Sequence, residues 1–587
     1  MVNIFAADAR RGYYDNAIEL NQAVLDAALA GMENQIQFIV DISLPGGDFL
    51  RLSDQPLYVG NRFYEGRIKI PKVERKISEL LAASLTFSEI QVDINNVDGA
   101  YNRYLVGGAN YTPFFGQSIE LKAGLRDVES SYFTVFKGFV HYEGSVERGS
   151  KTFTLRARDQ FETLNKPIPL PLINLTDFPL APQDSLGKRI PMALGDWTYG
   201  FNFNNAADVD VGSEIKVKAK TAAGNFGGGL LGYFVGAGVF VFSIGSYLPD
   251  TILSVLVKRG DNYLVANFTA SPTAAAGYWC AQVLSLIKTD NSSTGYIYQS
   301  GDVAAISVKV PYAVGQYDNA VDQAREVLKT LAGVAVGDFD ATSWNTLRAK
   351  TSPASGAVAN IKSRLWIGEA NSGDATVLSA AISLLKQIRA DIFIDRNRRV
   401  KLLSLALEDN PQLSAVPAVT QYNVLEGTFK PQTDRRNFFN SAAGNYSFNP
   451  ITGKTAFQTA KRKNSNSIFK SGKEIAKAID FPNLYIPADV QNQVDEYVRF
   501  YSAGLEYVST TLTWNHIIRD LGDFVTVSFN VGSVSFDRVP MMIRNLSASP
   551  ESGSVEVLLL SFANLPYPNF SPNYQAQMLS SFNQTIS

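Results

Sequence analysis

The sequence predicts a mainly β, multidomain protein with α+β parts, and three observations carry that expectation. Apolar and polar residues alternate with period two through many short runs: Ile119, Leu121 and Ala123 alternate with Glu120 and Lys122, and Phe153, Leu155 and Ala157 with Thr154, Arg156 and Arg158. Such alternation puts one face of a strand on a core and the other in solvent. The 44 glycines, 26 tyrosines and 36 phenylalanines suit sheets joined by tight turns. At 587 residues the chain exceeds what one core holds, so several domains are expected.

Taken in order, residues 16–32 carry a short helical pattern (Ile18, Leu20, Val24, Leu25, Ala28) that Gly31 can stop. Strands dominate to about residue 165, with turn chemistry at Asp98-Gly99 and Glu143-Gly144, giving an N-terminal β domain over 1–165. Lys166-Pro167-Ile168-Pro169-Leu170-Pro171 cannot continue a ladder, because three prolines lack donors, so 166–205 reads as a Pro-rich connector. Block 206–310, with short β-like runs between Gly, Ser and Asn turns, reads as an inserted small β domain. Inside it, residues 221–249 carry no charge, a length that suits a membrane span. Eight glycines, and the near-alternation of Tyr233, Val235, Val239 and Val241, favour a buried hairpin over a contact loop or a membrane helix.

From 311 to 425 the pattern is α+β. Asp318 is placed to cap a helix with Val321, Ala324, Val327, Leu328 and Leu331 inward, and Gly333 to stop it. Asp374 is placed to cap a second helix with Val377, Ala381, Leu384, Leu385 and Ile388 inward, followed by a hairpin through Asp395-Arg396-Asn397-Arg398-Arg399. A C-terminal β domain over 426–570 holds one helix after Pro487, with Asp489 as its expected cap, and 571–587 is a polar tail.

Composition narrows the chemistry. A formal net charge of -2 argues against wrapping nucleic acid as the main task. With Cys280 the single cysteine, no intrachain disulfide forms, which fits synthesis and assembly in a reducing host cytoplasm. The start Met1-Val2-Asn3 lacks a signal-peptide core. His141 and His516, the only histidines, are read as structural, and with Cys280 they are too few for a zinc site built on His and Cys.

Three near-motifs fail. Gly453-Lys454-Thr455 has Phe448 where a phosphate loop needs glycine. Asp93 to Gly99 has Val97 and Asp98 where a calcium loop needs a ligand and a glycine. Gly236-Ala237-Gly238 has Val241 where a dinucleotide fingerprint needs its third glycine. No catalytic, cofactor-binding or metal residues are assigned, and no enzyme activity is expected. Residues 452–478 hold seven lysines and arginines against Glu474, and Lys461, Arg462 and Lys463, like Arg396, Arg398 and Arg399, are candidates for contact with DNA or an acidic partner.

The order of elements resembles the hub and tip proteins of long phage tails and gene-transfer particles. The likeness is carried by Leu57 to Arg67, Val92 to Gly99, Phe136 to Val140 leading into Phe153 to Asp159, Gly187 to Asp196, and Trp514 to Val527 with Asp520-Leu521-Gly522-Asp523-Phe524-Val525. It covers the N-terminal third and the C-terminal half, and 206–310 has no counterpart. The resemblance implies a virion protein of the tail tip or baseplate hub, built of barrel domains as a homotrimer around the tail axis. Such a protein links the tail tube to fibre or spike, takes part in host attachment and genome ejection, and lines the DNA exit channel. It implies no cofactor and no stable membrane span. Two other readings remain, a receptor-binding tail protein using 206–310 and a tail-borne cell-wall hydrolase.

Overall fold

The computed structural model describes residues 36–44, 46–76, 88–102, 114–126, 128–143, 151–159, 164–198, 202–203, 226–227, 230–245, 247–259, 262–286, 299–351, 361–368, 376–404, 418–434, 436–451, 453–513, 516–517, 519–531, 534–549 and 554–561. The expected helix at 16–32 and the polar tail lie outside them. Strands dominate, as the alternation predicts, and they gather into one large sheet and several small ones.

The large sheet has fifteen strands drawn from both ends of the chain. From one edge it runs through Lys430–Thr433, Glu506–Thr513, Ser554–Ser561 and Val534–Ser549, then crosses to Ile68–Lys76 and Glu89–Asn95. It continues through Thr152–Arg158, Phe133–Glu143, Ser118–Leu125, Ile36–Ser43, Phe49–Ser53 and Arg62–Gly66 to the far edge at Leu57–Val59. The crossing is antiparallel, with Val73 opposite Ala548 and Lys76 opposite Asn545. The path is open, so the closed barrels implied by the resemblance are not formed by this sheet. A one-sided amphipathic strand needs only one covering layer, and helices and small sheets supply it here.

Period two holds where it was read. Thr152–Arg158 buries Phe153, Leu155 and Ala157, and Ser118–Leu125 buries Ile119, Leu121 and Ala123. Each large apolar side chain so covered contributes roughly 1.5–3 kcal/mol.

Four longer helices cover the core among the described residues. In α1 (Ala320–Ala332) the expected inward residues Val321, Ala324, Val327, Leu328 and Leu331 are all buried, and Gly333 ends the helix in the left-handed region. The cap is Asn319, one residue later than expected, its side chain accepting from the Val321 and Asp322 amides at 2.9 and 3.2 Å. Helix α2 (Ala341–Thr351) seats Trp344, whose indole N–H donates to the Val400 carbonyl at 2.8 Å. Helix α3 (Val377–Lys386) is capped by a reciprocal Thr376–Ser379 box. Asp374 lies outside the described residues. A short α4 (Ser465–Ser471) and the sixteen-residue α5 (Pro487–Ser502) complete the set. Helix α5 starts on Pro487 with Ile486 at the cap position. Asp489 sits in the first turn and instead accepts the Lys362 amide at 3.0 Å.

The block expected as an insert holds a seven-stranded sheet, Leu230–Gly236 through Val303–Ser307, over its own apolar core. The uncharged stretch forms a hairpin there: Leu230–Gly236 is buried throughout, and Val239–Ser243 pairs with it. Ala237 and Gly238 both take positive φ, 50° and 77°, which is the tight turn a two-residue hairpin requires. The apparent dinucleotide fingerprint is therefore a hairpin turn. Among the described residues no helix is long and apolar enough to cross a membrane.

Residues 166–205 do more than connect. Met192–Asp196 is the middle strand of a small sheet, between Lys309–Val310 and Leu365–Ile367. It thereby ties the end of the seven-stranded block to the α+β part.

Candidate functional site

The hairpin Ala390–Ile394 with Val400–Ser404 carries the first group of expected contact residues. Its tip is self-braced: Asp395 accepts the Arg399 amide at 2.7 Å and the Arg399 Nε–H at 3.0 Å. Arg399 also reaches Asp340 at 3.5 Å. Arg398 adopts a left-handed φ of 69° and lays its guanidinium over the Phe139 ring at 4.3 Å. Arg396 is buried, 7% exposed, over the Phe133 ring at 5.8 Å, with its amide donating to Asp520 at 3.3 Å.

Asp520 is the centre of this junction. It comes from the Asp520-Leu521-Gly522-Asp523 turn, and its two oxygens face two guanidiniums, Arg75 at 2.5 Å and Arg396 at 3.9 Å. The Arg75 contact is an ion pair without hydrogen-bond alignment. Burial alone would raise the Asp520 carboxyl, but Arg75, Arg396 and Lys401 outweigh it and hold the pKa at about 2. Asp523 and Asp395 are pushed the other way, by burial and by the Asp520 charge beside them. A second buried pair, Arg544 to Asp391 at 2.9 Å, ties the same hairpin to Val534–Ser549. His516 is buried here, and neither ring nitrogen has a hydrogen-bond partner among the described residues. Burial first, and Arg519 second, lower its pKa to about 3, so the ring stays neutral near pH 7. The junction therefore locks three distant chain segments together through charge.

The second group sits elsewhere, on a small sheet built around Ser441–Asn449. Lys461 and Lys463 share the Glu474 carboxylate, Lys463 at 2.8 Å, and Arg462 pairs with Asp495 of α5 at 3.1 Å. The ammonium groups of Lys461 and Lys463 hold the half-exposed Glu474 carboxyl at about 2. All three basic side chains remain nearly half exposed. Beside them a shallow groove of about 320 Å³ is lined by Lys463, Asn464, Asp495 and Arg499. Among the described residues no hydrogen bond or ion pair joins this group to the arginine hairpin.

Sequence reasoning missed Arg364. It is 1% exposed, stacks on Trp197 at 4.4 Å and Tyr485 at 5.1 Å, and donates to the Ser447 hydroxyl at 2.7 Å. Burial lowers its guanidinium pKa to about 10. Gly195 makes room: a Cβ there would lie 2.6 Å from the Arg364 Cβ, and its φ of 105° excludes other residues without strain. The local signal, one arginine between Ser363 and Leu365, gave no hint of this.

The rejected calcium-like stretch is a turn in which Asp98 takes a two-pronged pair from Arg67 at 2.8 and 2.6 Å. Gly453-Lys454-Thr455 opens the strand Lys454–Gln458. Among the described residues no three His, Cys, Asp or Glu side chains converge as metal ligands.

No family model matches the chain, and no curated protein matches it. Solved structures similar to it include a tail protein from Neisseria meningitidis MC58, at 9% identity and a TM-score of 0.39, covering 89% of this chain and 96% of that one. A prophage tail protein from Shewanella oneidensis is 8% identical with a TM-score of 0.39, covering 89% of this chain and 98% of its own. A prophage tail protein from Listeria monocytogenes EGD-e is 9% identical with a TM-score of 0.37, covering 93% and 99%.

Proposed function

We propose that this chain is a structural component of a phage-type tail tip or baseplate hub, a symmetric homo-oligomer that links the tail tube to fibre or spike. One observation supports it above the others. All but one of the stretches that carry the sequence resemblance, far apart in the chain, meet in one sheet: Leu57–Val59, Arg62–Gly66, Glu89–Asn95, Phe133–Glu143, Thr152–Arg158 and Phe524–Val531, with Met192–Asp196 standing apart in a small sheet. Asp520 then bolts the C-terminal stretch to Arg75 of the N-terminal one.

A scaffold needs this kind of construction, a stiff frame with open sheet edges to offer neighbours, and no reacting group. The reading assigns no catalytic step. Within it, 206–310 is a separate β unit added to the frame, and the chain's station is the tail, with no stable membrane span. Arg396, Arg398 and Arg399 brace the frame, so any DNA-facing role in an exit channel falls to other surfaces.

Locating the chain by electron cryomicroscopy in particles from a producing strain tests the proposal. We expect several symmetric copies about the tail axis at the tip. A chain absent from particles, or monomeric in the presence of its tail partners, defeats the reading.

A further inference from the structure

From Lys461 to Asp480 no residue is buried, and only Asn464, Ser467, Ile468, Glu474 and Ile479 are half covered. The excursion is nonetheless firmly built. Arg462–Lys463 pairs with Ser441–Ala442, and Ala476–Phe481 runs parallel to Ser441–Tyr446 on the other side. Asn464 caps α4, and Gly472, at φ 66°, ends it. The Asn464 amide and the Ser467 hydroxyl donate to Ser502 at 2.7 and 3.0 Å, and Asn440 accepts the Ile475 amide at 2.7 Å. This is a firmly built platform whose outer face is covered by none of the described residues.

Two properties of that face combine. Residues 461–477 hold six lysines and arginines against one acid, in a chain whose net charge is -2. Lys470 and Lys473 have no ion-pair partner among the described residues, and Lys461, Arg462 and Lys463 stay half exposed despite theirs. Amid these cations stands Phe469, 89% exposed on α4, with Ile475 also exposed at 38%. Lys454 does not belong to the patch: its partner Asn449 is eight residues along the strand from Ser441, about 27 Å away.

We propose that this platform docks on an anionic lipid surface, with Phe469 entering the headgroup boundary and the surrounding lysines facing lipid phosphates. An exposed aromatic ring with Lys470 and Lys473 close by in the chain matches that boundary, where apolar carbon and negative charge lie within a few ångströms of each other. Duplex DNA supplies the charge but covers an apolar side chain only by unstacking a base step, a cost that a lipid headgroup boundary does not impose. The attachment is peripheral, and it goes beyond the tail reading without depending on it.

The test is flotation of the purified full chain with vesicles of phosphatidylglycerol and phosphatidylcholine, against vesicles of phosphatidylcholine alone. We expect binding to the anionic vesicles only, weakening as salt rises. Phe469→Ala should lower the affinity about tenfold, and Lys470→Glu with Lys473→Glu at least as much, since each cation near such a surface contributes about fivefold. Phe469→Trp should bind as the parent does, with fluorescence that shifts to the blue on vesicles. Absence of binding to anionic vesicles overturns the proposal, as does equal binding by the Ala and Glu variants with their circular dichroism intact. Capture of duplex DNA through these residues without vesicle binding also overturns it. So does a change in oligomeric state of the Glu variant with vesicle binding unaltered, which would assign the face to a second copy.

Discussion

The arginines of the 395–399 tip and the run Lys461-Arg462-Lys463 look alike in sequence, three basic residues near a turn, yet they end in opposite environments. Arg396 is 7% exposed and meets a carboxylate donated from residue 520. Lys463 is nearly half exposed and meets Glu474 eleven positions away. The planar guanidinium can be buried because it stacks on rings, here Phe133 and Phe139, while forking toward carboxylates. The compact ammonium holds its water more tightly and stays at the surface. Charge count alone does not locate a contact surface; the identity of the cation and what the fold lays over it do.

The sharpest way to break this comparison is to remove the central carboxylate. Asp520→Ala removes the carboxylate that the buried Arg75 and Arg396 guanidiniums face, and should cost about 3–5 kcal/mol in urea denaturation. A loss below ~1 kcal/mol would show that the junction is not what holds the segments together.

Acid should expose the same difference. The Asp520 carboxyl, at about 2, lies below its unfolded value near 4, so its stabilisation is complete above pH ~4 and is lost as pH falls toward 2. The loss is on the order of 2 kcal/mol. Asp395 and Asp523, pushed upward, act in the opposite sense, since their protonation favours the folded state as pH falls. The stability gap between the parent and Asp520→Asn should therefore narrow between pH 4 and pH 2.5; an unchanged gap contradicts the assignment.

A smaller effect is expected at Arg398. Arg398→Lys exchanges a guanidinium stacked on Phe139 for an ammonium, and should cost about 0.5–1 kcal/mol by the same denaturation measurement. Smallest of all, Lys463→Ala should change stability by no more than ~0.5 kcal/mol, because an exposed pair gains little over water. A larger loss there would mean the platform depends on its ion pairs, and the contrast with the hairpin would fade.

How far the sequence could be read follows the range of the interaction. Periodic signals are local, and they place the inward faces of α1 and α3 and the alternating strands correctly. Caps failed by one to three residues, because the position of a cap is set by where its oxygen reaches the first amides and not by residue type alone. Asn319 sits where its oxygen reaches two amides, while the Asp318 backbone carbonyl accepts from Ser363. Ile486 stands at the cap position without a side-chain cap, and Pro487 after it removes one of the amides that the helix start leaves without a partner. The roles of Arg364, Arg75 and Asp520 were illegible, since their partners lie tens to hundreds of residues away.

The crossing of Ile68–Lys76 to Val534–Ser549 also governs how the protein is made. The N-terminal strand leaves the ribosome with one edge unfilled, and its neighbour follows about 470 residues later. At roughly 5–20 residues per second, that is about 25–95 seconds of waiting. During this interval an unpaired strand edge can recruit the wrong chain. Shielding by a chaperone or slow early collapse must bridge the delay, and nascent chains stopped before residue 548 should aggregate through this edge.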